Sequence, residues 1–214
     1  MSAIIQRLTE LNKLDITLPI SKESIQINKI NLELQSKFED FARDVRNEIT
    51  ASTQYIQFIN KHIRKETSGG LHYLDKLFVL LQWFNDLKKE ENIKCEISEI
   101  EIPDFIIDLN GEDLVFKFEF PTIVKELAYL KYILDTKKDD MKATDVLFYF
   151  TFRFINSINI DEETLKAEDI ASSESVYNLL SMGKITSITE HLDKVFKPIQ
   201  PLRNLEVDPR VFFA

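Results

Sequence analysis

Glycine, cysteine and histidine are scarce in this chain. Its 214 residues include four glycines, one cysteine and three histidines, where an ordinary protein is about 7% glycine. Phosphate cradles need glycine, because only a residue without a Cβ turns freely at positive φ or lets the backbone press against a ligand. The patterns GxGxxG, GxxxxGK[ST] and GxSxG are all absent, which removes the usual dinucleotide, nucleotide and serine-hydrolase frames. A single cysteine, Cys95, excludes an internal disulfide framework and any multi-cysteine zinc site. His62, His72 and His191 show neither HExxH nor a paired helical spacing. Long apolar runs are missing too. None is longer than five residues, as in Leu77 to Leu81, far short of the roughly 18 residues a membrane span needs. Met1 to Arg7 lacks the charged-then-apolar order of a signal peptide. The expectation is synthesis in a reducing cytoplasm and no membrane partner.

Acidic groups are plentiful. The 36 acidic and 27 basic side chains leave a formal charge of −9. Residues 1–110 carry 14 basic and 18 acidic groups and residues 111–214 carry 13 and 18, so neither half is basic. Binding to a phosphate backbone lacks its electrostatic footprint, and no nucleic-acid partner is expected. Apolar content of 44% is enough for a sizeable core.

The pattern along the chain predicts an α+β fold, mainly helical, with a small antiparallel sheet. Residues 1–13 read as an amphipathic lead-in. Asp15–Ile20 and Ser24–Ile30 alternate apolar and polar residues, which predicts two strands. Asn31 caps a predicted helix carrying Leu34, Phe38, Phe41, Val45 and Ile49, and helical spacing resumes from Tyr55 to Ile63. Gly69-Gly70 is read as a helix stop. Leu71 to Lys89 is the strongest helix, apolar around much of its circumference and therefore central to the core. A sheet is predicted across residues 93–120, with Asn110-Gly111 as its hairpin turn. Later helices are predicted from Thr122 to Thr136, from Ala143 to Ser157, and at about 173–182 and 186–196 with Gly183 between them. Residues 159–171 read as acidic and irregular. Residues 1–198 are expected to form a single mixed domain. Pro198, Pro201 and Pro209 predict an extended tail over residues 199–214.

Each chemically suggestive residue has a plainer reading. Cys95 alternates with Ile93 and Ile97 and reads as a small buried apolar side chain on a strand. The carboxylates Glu96, Glu99, Glu101, Asp104, Asp108, Glu112 and Asp113 have no basic residue among them. They lack the spacing of a calcium loop, and alternation makes them the solvated or partner-facing side of a sheet. His191, near Glu190 and Asp193, reads as a surface or helix-end histidine. The aromatic group from Phe148 to Phe154 includes one arginine, Arg153, and reads as core packing. The tail ends in Arg210-Val211-Phe212-Phe213-Ala214. It either folds back on its own core or docks on a neighbour, and both readings stay open.

Asp15 to Lys22, the strand that follows it, and the helix opening at Glu33 to Phe41 resemble the opening segment of a family of small baseplate-hub proteins of contractile-tailed bacteriophages. Leu71-His72-Tyr73-Leu74-Asp75-Lys76-Leu77-Phe78-Val79-Leu80-Leu81 resembles that family's central helix, with an aspartate ahead of long apolar residues. Two departures stand out. Trp83, Phe84 and Asn85 occupy a stretch where family members often carry an arginine, and Cys95 stands alone where they often show a cysteine pair. The resemblance implies a non-enzymatic hub subunit or hub-assembly factor, without cofactor, metal or catalytic residue, located in the tail baseplate of the virion. The implied partners are other baseplate hub proteins, with self-association a further expectation. Candidate contacts are Leu18, Pro19, Ile20 and Lys22 in the opening segment and Arg210, Phe212 and Phe213 in the tail. If the tail is an anchor, deleting 199–214 weakens partner binding and leaves the helical core folded. A cytoplasmic helical adaptor or chaperone unrelated to phage is the alternative reading.

Overall fold

The computed structural model describes residues 2–32, 35–36, 48–63, 70–89, 93–95, 97, 100–137, 140–207 and 212. The fold is α+β and mainly helical, with two small antiparallel sheets among the described residues. The chain divides into two compact units rather than one domain with a tail. The first comprises Met1–Ser98 and Ile199–Ala214, and the second comprises Glu99–Pro198. The second unit is therefore an insertion within the sequence of the first.

The first unit opens with helix α1 (Ala3–Leu11), whose first turn is capped by Ser2 Oγ accepting from the Ile5 N–H at 3.3 Å. Strands β1 (Lys13–Thr17) and β2 (Ser24–Asn28) pair antiparallel, with Leu14 opposite Ile27 and Ile16 opposite Ile25. The alternation in the sequence buries Ile25 and Ile27 on one face. Helix α2 (Glu48–His62) buries Ile49, Tyr55, Ile56, Phe58 and Ile59. Helix α3 (Tyr73–Leu87) is the predicted central helix and starts at His72, whose Nδ1 accepts from the Leu74 N–H. Trp83 is fully buried; its indole N–H donates to the Asn28 carbonyl at 2.9 Å and its ring meets Phe58 edge-on. The helix predicted from Asn31 through Val45 lies largely outside the described residues, as does Gly69. Gly70 has φ +82°, a backbone conformation open to a residue without a Cβ.

The C-terminal segment differs from the extended tail read in the sequence. Gln200–Val207 is a helix, here called α8, packed on α3. Pro201 falls in its first turn, where an absent N–H leaves no helical bond unmade. Leu202 and Leu205 then fall on one face at helical spacing, and both are buried.

The second unit is built on a four-stranded antiparallel sheet in the order β3 (Phe105–Leu109), β4 (Glu112–Phe118), β5 (Ile155–Ile160), β6 (Glu163–Lys166). Asn110 (φ +60°) and Gly111 (φ +98°) turn the first hairpin, as predicted. Helices α4 (Ile123–Lys137) and α5 (Ala143–Phe152) lie between β4 and β5 in the chain, and α6 (Ile170–Leu179) and α7 (Met182–Phe196) follow β6. Thr122 caps α4, its Oγ1 accepting from the Lys125 N–H at 3.3 Å. The core is aromatic: Phe116, Phe148, Phe152, Phe154 and Phe196 are buried and meet in tilted and edge-on pairs.

Several boundaries differ from the sequence expectation. The described residues of 93–102 are not strand. The helix from Ala143 ends at Phe152 rather than Ser157. Ile155, Ile158 and Ile160 then join a strand, and Asn156 is the extra residue where β5 shifts register against β4. Ile158 matched helical spacing, but β-branched and Asn residues favour a strand once β4 is beside them. The stretch read as irregular contains β6, entered by a two-residue turn with Asp161 at φ +48°. Gly183 sits in the first turn of α7 and does not separate two helices.

Candidate functional site

Leu18 has no exposed surface, and Phe212 is 2% exposed with its ring 5.8 Å from that of Phe84 in an edge-on pair. Both are core residues of the first unit, so neither stands out as a free anchor. Pro19 and Ile20 are half-buried and Lys22 is exposed at φ +57°. Arg210 and Phe213 lie outside the described residues.

The opening segment is held by a residue whose role the sequence did not reveal. Asp75 on α3 is fully buried, and its two carboxylate oxygens accept from the Ile20 N–H at 2.8 Å and the Ser21 N–H at 3.1 Å. The turn closes on itself through Leu18 N–H to Glu23 O at 2.8 Å and Lys22 N–H to Leu18 O at 3.1 Å. A buried carboxylate is tolerated when backbone N–H groups solvate it. The outcome is a turn pinned through its backbone, with Ser21 and Lys22 exposed and Pro19 and Ile20 half-buried.

A buried ionic cluster secures α8. Lys76, with no exposed surface, donates to Glu206 Oε1 at 2.7 Å, while the Tyr73 hydroxyl donates to Glu206 Oε2 at 2.6 Å. The Tyr55 hydroxyl donates to the Leu205 carbonyl at 3.0 Å; burial, and secondarily the charge of Glu206, raises its pKa well above the ordinary tyrosine value. The second unit has its own internal pair. Arg153 and Glu126, 1% and 0% exposed, meet at 2.5 Å. Arg153 also donates to the Tyr149 hydroxyl at 3.0 Å and lies against the rings of Tyr149, Phe150 and Phe154. The arginine among the aromatics is thus a core ion pair. Each cluster pins elements of its own unit together from an almost wholly buried position.

Of the acidic segment, Glu96 and Glu99 lie outside the described residues. Asp108 and Asp113 face each other across β3 and β4, both exposed. Among the described residues no group of three or more His, Cys, Asp or Glu side chains is arranged to hold a metal ion. His191 Nε2 lies 2.8 Å from the Pro103 carbonyl, and its ring is 5.0 Å from Phe105 and 5.6 Å from Phe118. It is a packing residue of α7 against the β3 side of the sheet. Cys95 is half-buried and outside any strand. No helix among the described residues is long and apolar enough to cross a membrane.

Tyrosines tie the helices of the second unit together. The Tyr129 hydroxyl donates to the Ala167 carbonyl at 3.2 Å, Tyr132 to Glu174 at 2.8 Å, and Tyr177 to the Thr144 carbonyl at 3.0 Å. Burial raises the pKa of all three, that of Tyr132 to about 12 with the Glu174 carboxylate adding to the effect. A groove of about 690 Å³ opens in this unit, walled by Thr122, Val124, Lys125 and Ala128 on the α4 side and by Thr164 and Lys166 on β6. Its ammonium group at Lys125 is engaged by Glu119 at 2.9 Å and by the Ile155 carbonyl at 2.7 Å. Comparison with known proteins finds no matching family model, no matching curated protein and no matching solved structure.

Proposed function

We propose that this chain is a non-enzymatic structural or assembly protein of a bacteriophage tail baseplate hub, acting through protein–protein contacts. One observation carries the reading beyond the sequence resemblance. The two stretches that resemble the hub family, Asp15–Lys22 and Leu71–Leu81, are far apart in sequence, yet Asp75 of the second accepts the Ile20 and Ser21 N–H groups of the first. Two resembling segments that depend on each other physically support a shared architecture better than two independent short matches do.

The candidate contacts are revised accordingly. Lys22, exposed, and Pro19 and Ile20, half-buried, remain docking candidates, whereas Leu18 and Phe212 belong to the core. The direct test is disruption of the gene in its phage or prophage. The expected result is heads that form normally and tails that lack a baseplate, restored by the wild-type gene in trans. Complete, infective tails in the disrupted strain would overturn the proposal.

A further inference from the structure

β1 is an edge strand of the first unit's two-stranded sheet, paired with β2 alone among the described residues. Its register determines which backbone groups face outward. The Lys29 N–H donates to the Asn12 carbonyl at 2.9 Å, and the Leu18 N–H donates to the Glu23 carbonyl at 2.8 Å. Both pairs continue the ladder in which Leu14 faces Ile27 and Ile16 faces Ile25. Hydrogen-bonded pairs alternate along an antiparallel ladder, so the backbone groups of Lys13, Asp15 and Thr17 point away from β2. No described residue engages the N–H or C=O of these three. The element just before this edge is uncovered as well. Helix α1 has nine residues, none of them buried. Its Ile4, Ile5, Leu8 and Leu11 share one face at helical spacing, and each is more than half exposed. An isolated helix shorter than about 12 residues is marginal in water, so an apolar stripe on so short a helix calls for cover.

The charges on the edge indicate what the cover is. Lys13 and Asp15 carry opposite charge two positions apart on the same outward edge. A two-fold axis through Leu14 sets Lys13 of one copy opposite Asp15 of the other, twice, and brings unlike charges together. An axis through Asp15 would instead set two carboxylates face to face, which is unfavourable. The edge is therefore complementary to itself in one register. A lipid surface fits worse, because α1 carries Arg7 and Glu10 rather than the cationic polar face of an interfacial helix. We infer that two copies of this chain associate through their N-terminal arms, β1 pairing antiparallel with β1 of the second copy. Lys13 exchanges both backbone bonds with Asp15 of the second copy, and Asp15 with its Lys13. The two small sheets become one of four strands, in the order β2, β1, β1, β2. Leu14 meets Leu14 across the axis as the non-hydrogen-bonded pair. The side chains have capacity to spare. The Lys13 ammonium meets Glu10, and Asp15 Oδ1 accepts from Gln26 Nε2 at 2.9 Å, but an ammonium has three donors and a carboxylate about four acceptor sites. Leu11 is three residues from the axis, at most about 10 Å of chain, so the apolar stripe of α1 begins beside the second copy and is covered by it. This inference stands independently of the baseplate reading, since a dimer serves either role.

The experiment is sedimentation equilibrium of the full chain across the micromolar range. The expected species is a dimer. Its dissociation constant rises at least tenfold in Leu8→Glu, which alters only an exposed side chain and keeps the test decisive if a strand variant unfolds. It rises likewise in Asp15→Lys, which sets lysine against lysine at both pairs. The charge-swapped double variant Lys13→Asp/Asp15→Lys restores it to within threefold of wild type. Val124→Glu, at an exposed apolar position of the second unit, leaves it unchanged. In a Cys95→Ala background, Leu14→Cys should form a disulfide between copies on mild oxidation, because a non-hydrogen-bonded pair lies about 4.5 Å apart at Cα. Asp15→Cys in the same background should not. A monomer throughout the range would overturn the inference. So would a dimer indifferent to Leu8→Glu or to Asp15→Lys, or a double variant as weak as Asp15→Lys. A dimer with these signatures alongside intact tails in the disrupted strain would leave the pairing standing and remove the baseplate role.

Discussion

At the residue scale, the first unit depends on two buried charges. Asp75 accepts two backbone N–H groups 55 and 54 residues away in the chain. Bonds to a charged group contribute about 1.5–3 kcal/mol each. Asp75→Ala is expected to destabilise the protein by about 3 kcal/mol in urea melts, and Asp75→Asn by less because one acceptor remains. Glu206→Leu strands the Lys76 ammonium, which is costly at about 3–5 kcal/mol. The double variant Lys76→Met/Glu206→Leu recovers most of that loss, and an additive loss would contradict the pairing. None of this was legible from spacing. Asp75 drew notice as a position within a resemblance, but its acceptors come from a turn that only the folded chain brings near. Arg153 among phenylalanines could be read as core, yet its counter-ion Glu126 lies on another helix.

Ionisation follows the same logic. Tyr55, Tyr129, Tyr132 and Tyr177 are all held neutral above their ordinary pKa by burial. Below about pH 10 both the folded and the unfolded chain keep these protons, and the contribution is fully present. Above it the unfolded chain ionises first, so stability falls as pH climbs from about 10 toward the folded values. Urea midpoints at pH 8, 10 and 11 should decline in that order, together with cooperative tyrosinate absorbance. Midpoints that hold level across that range would contradict it.

At the element scale, periodicity found the long helices and the Asn-Gly hairpin, where local chemistry and tertiary context agree. It failed where a segment's state depends on a distant partner. β5 needs β4 beside it, and α8 needs the apolar face of α3. Proline in a first turn resembles proline in a tail until the burial of Leu202 and Leu205 is known. Removal of residues 199–214 is therefore expected to unfold the first unit rather than release an appendage. It strips Ile199, Leu202, Leu205 and Phe212 from the core and leaves Lys76 without Glu206. Circular dichroism of the truncated chain should show lost helix and a lowered melting temperature. A fragment spanning 99–198 carries a complete sheet and aromatic core, and should fold alone with a cooperative melt. A wild-type-like melt of the truncated chain would restore the tail reading.

At the scale of the whole molecule, the scarcity of glycine, cysteine and histidine pointed away from site chemistry. The described residues place the chemically suggestive groups in packing roles. His191 lies against Phe105 and Phe118, and Arg153 and Lys76 are paired inside their units. The surface features left over are the turn at Pro19–Lys22, held by Asp75, and a groove lined by α4, β5 and β6. The first was legible as a resembling segment. The second was hidden, because β6 occupies a stretch whose Asp161-Glu162-Glu163 cluster reads as loop.

The central claim, service in a tail hub by protein contact, is tested most directly by a quantitative mass-spectrometric inventory of purified tails and of tail-assembly intermediates from the cells that make this chain. The account predicts the chain at fixed stoichiometry with hub proteins in the intermediates, retained in finished tails if it is a subunit and released if it is an assembly factor. Absence from intermediates and finished tails alike would contradict it.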